Sequence, residues 1–436
     1  MGAGGTGKSF LIRQIKAMFK DQVRVTASTG IAAFSIDGCT IHSLLHLPVR
    51  TYQRKNLSAG SLLRLQNRLK GVKYIVIDEL SMIGQRCLFW IHKRLQQITG
   101  NLDLRFGGIS IILIGDHAQL PPVSDKRMYV RPHAEENHEA WTLYREFNIV
   151  IFLDEIKRQE ADSKFQKLLS HVRNHVVSEA DWKYLMSRSS NHLSQIELDS
   201  FKDAIHLFRT NQECTDYNIE KLVELKQPIA KIFAQHSPAA AAKSDANLAG
   251  GLLPILHLCK ECNVMLTCNI NVKGGLTNGS MGKVISIIYD FGVVPPNLPR
   301  AVLVQFPAFK GPSILPDVPG VVPIQPVTNE WKVGNQMWSR QQLPLRLCYG
   351  ITIHKSQGQT LDKCVIKGLH DSRHKQPGIE YVALSRVKSI NNLVIDPMSL
   401  QEFRKLNRPD KERCTEERRL RRIFENMKQD IIDFNK

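Results

Sequence analysis

A glycine-rich segment at the start of the chain constrains the fold more than any other feature. Residues 2–9 match the pattern G-x-x-x-x-G-K-S, whose glycines let backbone N–H groups turn towards a phosphate. Its lysine reaches the β and γ phosphates, and its serine hydroxyl can bind magnesium. The alternative is a chance glycine-rich terminus. The pattern predicts that the phosphates of a nucleotide are bound by Gly2, Gly4, Gly5, Thr6, Gly7, Lys8 and Ser9.

The residues that follow alternate between short apolar segments and segments with helical periodicity. The apolar segments are rich in β-branched residues, which is typical of buried strands in a parallel sheet, and they lie at 23–28, 74–78, 109–116 and 148–153. The periodic segments at 10–20 and 85–98 predict helices that connect these strands. Residues 1–155 are therefore predicted to form an α/β domain around the glycine-rich loop.

The rest of the chain changes character several times. Residues 156–225 are mostly helical in pattern, with one strand predicted at 204–208, and residues 236–251 are predicted to form a linker or flexible loop. Residues 255–345 are rich in Val, Ile, Pro and Gly, and strands at 283–289 and 301–306 predict a small β domain. Residues 346–398 return to an α/β pattern. The charged tail 399–436 is predicted to contain an amphipathic helix, whose apolar face comprises Leu420, Ile423, Phe424, Met427 and Ile431.

The charge and cysteine content restrict the class of protein. A formal net charge of +18 indicates a polyanionic partner, of which nucleic acid is the first candidate; a basic surface without a specific ligand is the alternative. Nine cysteines without an export signal favour a reduced, intracellular compartment. Cys259 and Cys262 have C-x-x-C spacing, but no second pair completes a zinc site. Apolar runs are too short to cross a bilayer, so no membrane association is expected.

Two acidic residues follow one of the predicted strands. In V-I-D-E at 76–79, Asp78 is expected to bind magnesium together with Ser9, and Glu79 to polarise the water that attacks the γ-phosphate. Acids at a strand end are often only solvated, but this pair follows a phosphate-binding loop at the expected distance.

A third predicted strand ends in I-G-D-H-A-Q-L-P-P-V at 114–123. A polar residue at the end of a neighbouring strand can contact the γ-phosphate and respond to its loss. Gln119 is the candidate for this contact, and Asp116 is expected to support it. The alternative is a turn closed by Pro121 and Pro122.

These three elements together resemble superfamily-one helicases, and further motifs resemble the Pif (petite integration frequency) family, which is related to the RecD-type helicases. T-A-S-T-G-I-A-A at 26–33 and G-C-T-I-H-S-L at 38–44 resemble the family's first DNA-contacting motif. Similar matches occur in the family's order over nearly the whole chain, at 153–159, 264–270, 275–284, 351–361 and 381–387.

The resemblance implies an α/β fold class with two RecA-like domains built on parallel sheets and an inserted small β-barrel domain of SH3-like type. The first RecA-like domain would be 1–155 and the second 156–254 with 346–398. ATP would bind between the two, with Arg158 and Arg386 contacting the γ-phosphate. Residues 45–65 would carry a wedge that separates the duplex. Contacts to the DNA backbone are implied for Thr26, Ser28, Thr29, His42, His354, Lys355 and Ser356.

The function implied is that of an ATP- and Mg²⁺-dependent helicase that moves 5′ to 3′ along single-stranded DNA and opens forked duplex. DNA repair, recombination or telomere maintenance would be its setting, in the nucleus or mitochondrion of a eukaryote, and a monomer is expected. An RNA-acting motor of the same superfamily and an inactive nucleic-acid-binding remnant remain alternatives. The sequence departs from the family at its start, because the family has a strand directly before the phosphate-binding loop. Without that strand, we expect a poorly anchored loop and weak ATP binding.

Overall fold

The computed structural model describes residues 1–47, 57–132, 138–159, 161–246, 248–333, 336–369 and 376–434. The chain divides into two compact units. The first unit consists of Met1–Phe201 and Ser356–Lys436, and the second of Lys202–Lys355.

The strands alternate with helices in the first unit and dominate the second. In chain order they are β1 (Val23–Ala27), β2 (Cys39–Thr40), β3 (Tyr74–Asp78), β4 (Ser110–Leu113), β5 (Ile205–Phe208), β6 (Ala230–Phe233), β7 (Gln235–Ser237), β8 (Ile255–Leu258), β9 (Asn263–Leu266), β10 (Met281–Ile288), β11 (Ala301–Gln305), β12 (Val321–Ile324), β13 (Val327–Val333), β14 (Gln336–Gln342), β15 (Leu345–Leu347), β16 (Gly350–Thr352), β17 (Cys364–Ile366) and β18 (Leu393–Ile395).

The α-helices are concentrated in the first unit. They are α1 (Lys8–Phe19), α2 (Gly30–Ser35), α3 (Ile41–Leu45), α4 (Ala59–Leu69), α5 (Gln85–Thr99), α6 (His138–Arg145), α7 (Ser163–Asn174), α8 (Glu179–Met186), α9 (Gln195–Asp199), α10 (Asn211–Glu224), α11 (Ile353–Ser356), α12 (Ile379–Leu384), α13 (Leu400–Arg404) and α14 (Lys411–Phe434).

The first unit is built on a parallel sheet with the strand order β2-β1-β3-β4. The register of β1 against β3 pairs Ala27 with Asp78, so the carboxyl ends of these strands lie side by side. Helix α5 covers the sheet with Leu88, Ile91 and Leu95, whose helical spacing places them on one buried face. The strands predicted at 23–28 and 74–78 and the helices predicted at 10–20 and 85–98 are confirmed.

The strand predicted at 148–153 is wrong for most of its length. Only Leu153 forms a parallel bridge, and its partner is Gly2. Ile149 and Ile151 are exposed, because apolar β-branched residues make a strand only where a neighbouring backbone completes the ladder.

The loop that follows Met1 is nevertheless anchored on both sides. Gly2 N–H donates to Gly115 O at 3.0 Å, and Leu153 N–H donates to Met1 O at 2.8 Å. The expectation of a poorly anchored loop is therefore wrong for these residues, because backbone hydrogen bonds from two neighbouring segments fix its first residues.

The predicted C-terminal helix is confirmed as α14, and it packs against residues 150–154 of the same unit. Leu420 is buried, the ring of Phe424 lies 5.5 Å from that of Phe152, and the Met427 sulfur accepts a hydrogen bond from Val150 N–H. The tail is thus part of the first unit's core rather than an appendage.

The second unit combines one parallel pair, β5 with β16, with antiparallel sheets. The largest has five strands in the order β12-β11-β10-β9-β15. Its buried face contributes Val264, Val284 and Val304 to a continuous apolar core. The strands predicted at 204–208, 283–289 and 301–306 correspond to β5, β10 and β11. Antiparallel structure begins already at β6, earlier in the chain than the β domain predicted from composition.

Residues 236–246 and 248–251 are folded, although the alanine-rich composition of 236–251 predicts a linker. The fully buried guanidinium of Arg340 donates to the carbonyl oxygens of Ala241, Ser244 and Leu252 at 2.8–2.9 Å. A buried cation requires such acceptors, and small residues let the backbone approach it closely. This segment therefore forms a carbonyl cage around Arg340.

Two further predictions are the absence of a membrane-spanning segment and a wedge at 45–65. Within the part of the chain that the structure describes, α-helices are too short or too polar to cross a membrane. The predicted wedge at 45–65 includes residues 48–56, which lie outside the described residues, and α4 forms its described end.

Candidate functional site

The glycine-rich segment at 2–9, termed the phosphate loop, takes a backbone path that depends on its glycines. Gly5 and Gly7 have φ values of 86° and 85°, which other residues adopt only with strain. Gly7 is the N-cap of α1, so the positive end of that helix faces the loop. This geometry suits the binding of an anion.

The Lys8 side chain lies inside this loop. Its ammonium donates to Gly2 O at 2.8 Å and to Ala3 O at 2.6 Å. Burial lowers the pKa of Lys8, whereas the nearby carboxylates of Asp116, Glu79 and Asp78 act to raise it. The three predicted acidic residues and the predicted lysine therefore share one region of the first unit.

The acid pair lies at the carboxyl end of β3. Burial raises the pKa of Asp78 to about 7, assisted by the charge of Glu79 and opposed by Glu79 N–H and Lys8. Glu79 has a positive φ of 55°, an unusual conformation for a residue other than glycine, whose cost of about 1–3 kcal/mol is typical of functional sites. This conformation directs Glu79 away from the continuation of the strand.

Gln357 forms hydrogen bonds with both Glu79, the predicted base, and Gln119, the predicted γ-phosphate contact. Its amide nitrogen lies 3.1 Å from Glu79 Oε2 and 3.3 Å from both Ser81 Oγ and Gln119 Oε1. Among the described residues, the buried amide oxygen of Gln357 has no hydrogen-bond partner. Gln357 was not predicted as a site residue, although it lies within the motif at 351–361 and is polar and buried.

Residues 116–119, termed the sensor loop, depend on a buried ion pair. Asp116 accepts two hydrogen bonds from Arg173, at 2.7 and 3.1 Å, and a third from Ala118 N–H at 3.0 Å. Burial alone would raise the pKa of Asp116, but the charge and hydrogen bonds of Arg173 outweigh it and lower the pKa to about 2. Asp116 is thus ionised and fixes the turn that leads to Gln119.

Arg386 is buried and is bound by the turns around it. Its guanidinium donates to Val382 O, Ser356 O and Gln359 O at 2.7–3.1 Å, and to Ser385 Oγ. Burial and the charge of Arg158 lower its pKa to about 10, against the opposing effect of Glu79. Arg386 therefore lies near the acidic residues while it stabilises the turn that carries Gln357.

Arg158 lies directly over the phosphate loop. Its backbone N–H donates to Gly5 O at 3.2 Å, and its guanidinium donates to Ser385 O at 3.4 Å. The γ-phosphate contacts predicted for Arg158 and Arg386 stay predictions.

A tyrosine that the sequence analysis did not single out contacts the phosphate loop. The Tyr381 hydroxyl accepts a hydrogen bond from Gly4 N–H at 2.8 Å, and burial raises the pKa of this phenol. Gly4 N–H is one of the donors that the motif is expected to offer to a phosphate. Tyr381 thus accepts a hydrogen bond from an N–H group that the motif predicts for a phosphate.

The residues predicted to contact DNA differ in how far they are buried. Thr26 is fully buried in β1, and its hydroxyl donates to Val76 O at 2.7 Å. The contact predicted for Thr26 is therefore wrong, because a hydroxyl inside the sheet cannot contact a strand of DNA. Ser28 is half-buried and donates to Glu79 O at 3.4 Å, next to the acid pair.

The remaining members of this set lie on helices. Thr29 is the N-cap of α2 and accepts a hydrogen bond from Ala32 N–H, and His42 is half-buried on α3, where burial lowers its pKa. On α11, His354 and Lys355 are half-buried, whereas Ser356 is fully buried. DNA contacts at these positions stay predictions.

Comparison with known proteins gives a consistent result. A family model described as PIF1-like helicase matches residues 1–182. The chain is 30% identical over 427 residues to the ATP-dependent DNA helicase Pif1 of Bdellovibrio bacteriovorus, with 92% of this chain and 87% of that protein covered. It is 31% identical over 417 residues to human ATP-dependent DNA helicase PIF1, but covers only 58% of that longer protein.

Solved structures show the same fold. A Pif1 helicase from Bacteroides in complex with ADP-AlF3 and single-stranded DNA superposes with a TM-score of 0.68 at 24% identity. The match covers 92% of this chain and 88% of that one. The predicted α/β fold class is thereby confirmed.

Proposed function

Because the chain belongs to the Pif1-like family of ATP-dependent DNA helicases, we propose that it uses ATP hydrolysis to move 5′ to 3′ along single-stranded DNA and to open forked duplex. The arrangement of Lys8, Glu79 and Gln119 carries the proposal. The predicted phosphate-binding lysine is close enough to the candidate base for the charge of Glu79 to act to raise the lysine's pKa, and one amide joins that base to a candidate γ-phosphate contact.

The nucleotide is bound by the phosphate loop at the start of α1. The residues beside the nucleotide fit a magnesium ion, because the buried Asp78 carboxylate and the Ser9 hydroxyl supply the hard oxygen ligands that Mg²⁺ prefers. A bound Mg²⁺ would neutralise charge on the β and γ phosphates. Glu79 orients and deprotonates the attacking water, and Gln119 contacts the γ-phosphate, while Arg158 and Arg386 neutralise the charge that develops on it.

The DNA backbone is contacted by two groups of residues, which are Ser28, Thr29 and His42, and His354, Lys355 and Ser356. The net charge of +18 supports a polyanionic partner. Ser28 donates to the backbone of Glu79, so a strand bound at Ser28 would act directly on the candidate base. This contact offers a route by which DNA stimulates hydrolysis.

We propose an intracellular setting, the nucleus or mitochondrion if the source is eukaryotic, and a role in DNA repair, recombination or telomere maintenance. All nine cysteines are free thiols, which suits a reduced compartment. Each base pair opened costs about 1.4 kcal/mol of stacking, so unwinding must be coupled to ATP turnover.

The test combines ATP turnover with strand separation. The chain is incubated with Mg²⁺, ATP and forks that carry only a 5′ tail, only a 3′ tail, or RNA in place of the tailed strand, with Lys8→Ala as the inactive control. The proposal expects DNA-stimulated turnover and separation of the 5′-tailed DNA fork alone. Equal or greater activity on the RNA-tailed fork would favour an RNA-acting motor. DNA binding without turnover would favour an inactive remnant.

A further inference from the structure

We propose that helix α14 positions the sensor loop for ATP hydrolysis, through the two adjacent carboxylates of Glu416 and Glu417. The inference rests on the proposed ATPase function and extends it to a charged tail that carries no helicase motif. Glu416 and Glu417 are positioning residues, because they act on the nucleotide through Asp116, His117 and Gln119 of the sensor loop.

The first connection runs from Glu417 through one arginine to the sensor loop. Nη2 of Arg173 lies 2.7 Å from Asp116 Oδ1 and 2.7 Å from Glu417 Oε1. Arg413 adds a second cation to Glu417 at 3.2 Å and donates to Arg173 O at 2.9 Å. The Arg173 guanidinium thus bridges the loop and the helix, so that a change at Glu417 acts on the cation that fixes Asp116.

The second connection runs from Glu416 through a tyrosine to the next residue of the loop. The Tyr144 hydroxyl donates to Glu416 Oε1 at 2.8 Å and lies 2.9 Å from His117 Nε2. Burial lowers the pKa of His117 to about 3, so its imidazole is neutral. Because the Tyr144 hydroxyl donates its one hydrogen to Glu416, it accepts from His117 in the tautomer that carries its hydrogen on Nε2. Arg419 in turn binds Glu416 at 2.6 Å. This chain of hydrogen bonds has one direction, from loop to helix.

The two connections start from consecutive residues of the helix and end on consecutive residues of the sensor loop. Glu416 and Glu417 of the helix reach His117 and Asp116 of the loop, and Gln119 follows two residues later. Buried ion pairs and hydrogen bonds are stronger than exposed ones because water screens them less, so they hold the loop in one position. Release of either carboxylate should therefore let Gln119 move relative to Gln357 and Glu79.

The position of these carboxylates on α14 also argues for a specific role. Glu416 is four residues before Leu420, so it lies on the buried stripe of an amphipathic helix. A carboxylate on such a stripe is costly unless it is paired, and its pairs here lead to the sensor loop. Simple packing of the tail would be served by an apolar residue at this position.

The experiment compares carboxylate-to-amide changes at three positions of the same helix. Glu417→Gln and Glu416→Gln remove the two connections. Glu425→Gln is the matched control, because Glu425 is exposed and its partner among the described residues is Lys428 on the same helix. Tyr144→Phe is a second conservative change that breaks the Glu416 connection without altering α14. DNA-stimulated kcat, KM for ATP and the thermal midpoint are measured for each.

We expect Glu417→Gln and Tyr144→Phe to lower kcat about tenfold or more, the effect of small misplacements in an active site, with KM changed less than about threefold. Glu425→Gln should match the parent. In a Gln119→Ala background, Glu417→Gln should cause no further loss of kcat, because it acts through Gln119. If Glu417 has a merely structural role, Glu417→Gln should lower the thermal midpoint. It should then also lower kcat by the same factor in the Gln119→Ala background as in the parent.

The outcomes separate this inference from the proposed function. If the parent turns over ATP and both Glu417→Gln and Tyr144→Phe retain its kcat, the inference is overturned and the proposed function stands. Losses that multiply with Gln119→Ala also overturn it. If the parent lacks DNA-stimulated turnover, the proposed function fails and the inference fails with it.

Discussion

The phosphate loop and the sensor loop lie at the same edge of one parallel sheet, but different interactions give them their shape. The phosphate loop is shaped by glycine φ values and by Lys8, whose hydrogen bonds end on residues within the same loop. The sensor loop is shaped by Arg173, which lies 57 positions away in the sequence. The first loop is therefore shaped mainly by its own residues, although Gly115, Leu153 and Tyr381 also bind its backbone from outside. The second loop is shaped mainly by a side chain that is distant in the sequence.

This difference determines where each loop is vulnerable. Damage to the phosphate loop should come mainly from changes within it, and changes at the loop should act on nucleotide binding. Damage to the sensor loop should come from distant residues and should act on the rate of hydrolysis. Four substitutions test this contrast between the phosphate loop and the sensor loop.

Lys8→Ala should abolish DNA-stimulated ATP hydrolysis and leave single-strand binding within a few-fold of the parent. Lys8 is the loop's own cation, whereas the proposed DNA contacts lie elsewhere. Turnover and fluorescence anisotropy with labelled single strands measure the two effects. A variant that hydrolyses ATP at the parent rate would show that the phosphate loop is not the nucleotide site.

Arg386→Ala should lower kcat by about 10³–10⁵, the range for an arginine that stabilises phosphoryl transfer, with a smaller effect on ATP affinity. Arg386 also binds the carbonyls of the turn that carries Gln357. Arg386→Lys keeps the charge but cannot satisfy all these acceptors. Arg418→Ala, on the exposed face of α14, is the control for loss of one positive charge. An increase in KM with kcat unchanged would indicate a ground-state contact instead.

Gln357→Ala should lower kcat by about 10- to 100-fold with little change in KM, because Glu79 and Gln119 lose the amide that joins them. Gln212→Ala, on the surface of α10, is the matched control, since Gln212 bonds only to Asp216 of its own helix. Steady-state kinetics at saturating DNA measure both constants. A change confined to KM would place Gln357 with the phosphate loop and would remove the contrast between the loops.

Tyr381→Phe should have the smallest effect and should act on affinity. The hydroxyl occupies Gly4 N–H, and a hydrogen bond of this kind contributes about 0.5–1.5 kcal/mol. Its loss should tighten apparent ATP binding by roughly two- to tenfold. Tyr289→Phe removes a buried hydroxyl that has no partner and is the control. Weaker ATP binding in Tyr381→Phe would mean that the hydroxyl supports the nucleotide rather than competing with it.

The same contrast explains what the sequence could predict. Strands β1 and β3, helices α1 and α5 and the phosphate loop follow from periodicity and local spacing, and motifs identified the family. The residues 148–153 have the composition of a strand, yet a strand also needs a neighbouring backbone, and only Gly2 pairs with them, at Leu153. Local composition cannot supply that information.

Side chains that act across the fold were the hardest to predict. Gln357 and Tyr381 lie inside recognised motifs, but their contacts depend on how distant turns meet. Arg173 and Glu417 have no local signal, because charged residues on helices are usually solvated. The DNA contact predicted for Thr26 is wrong because the sequence does not show whether the hydroxyl of a strand residue is buried or exposed, and here it is buried.

The carbonyl cage around Arg340 has a practical consequence for engineering the chain. An alanine-rich stretch such as 236–251 would ordinarily be chosen for a tag or an inserted reporter domain, since exposed small residues tolerate insertions. Here an insertion would pull apart the carbonyl oxygens of Ala241, Ser244 and Leu252 that bind one buried guanidinium. The turn at Phe291 and Gly292, where the phenylalanine is fully exposed, is the better place in the second unit to attach a fluorophore or a surface anchor.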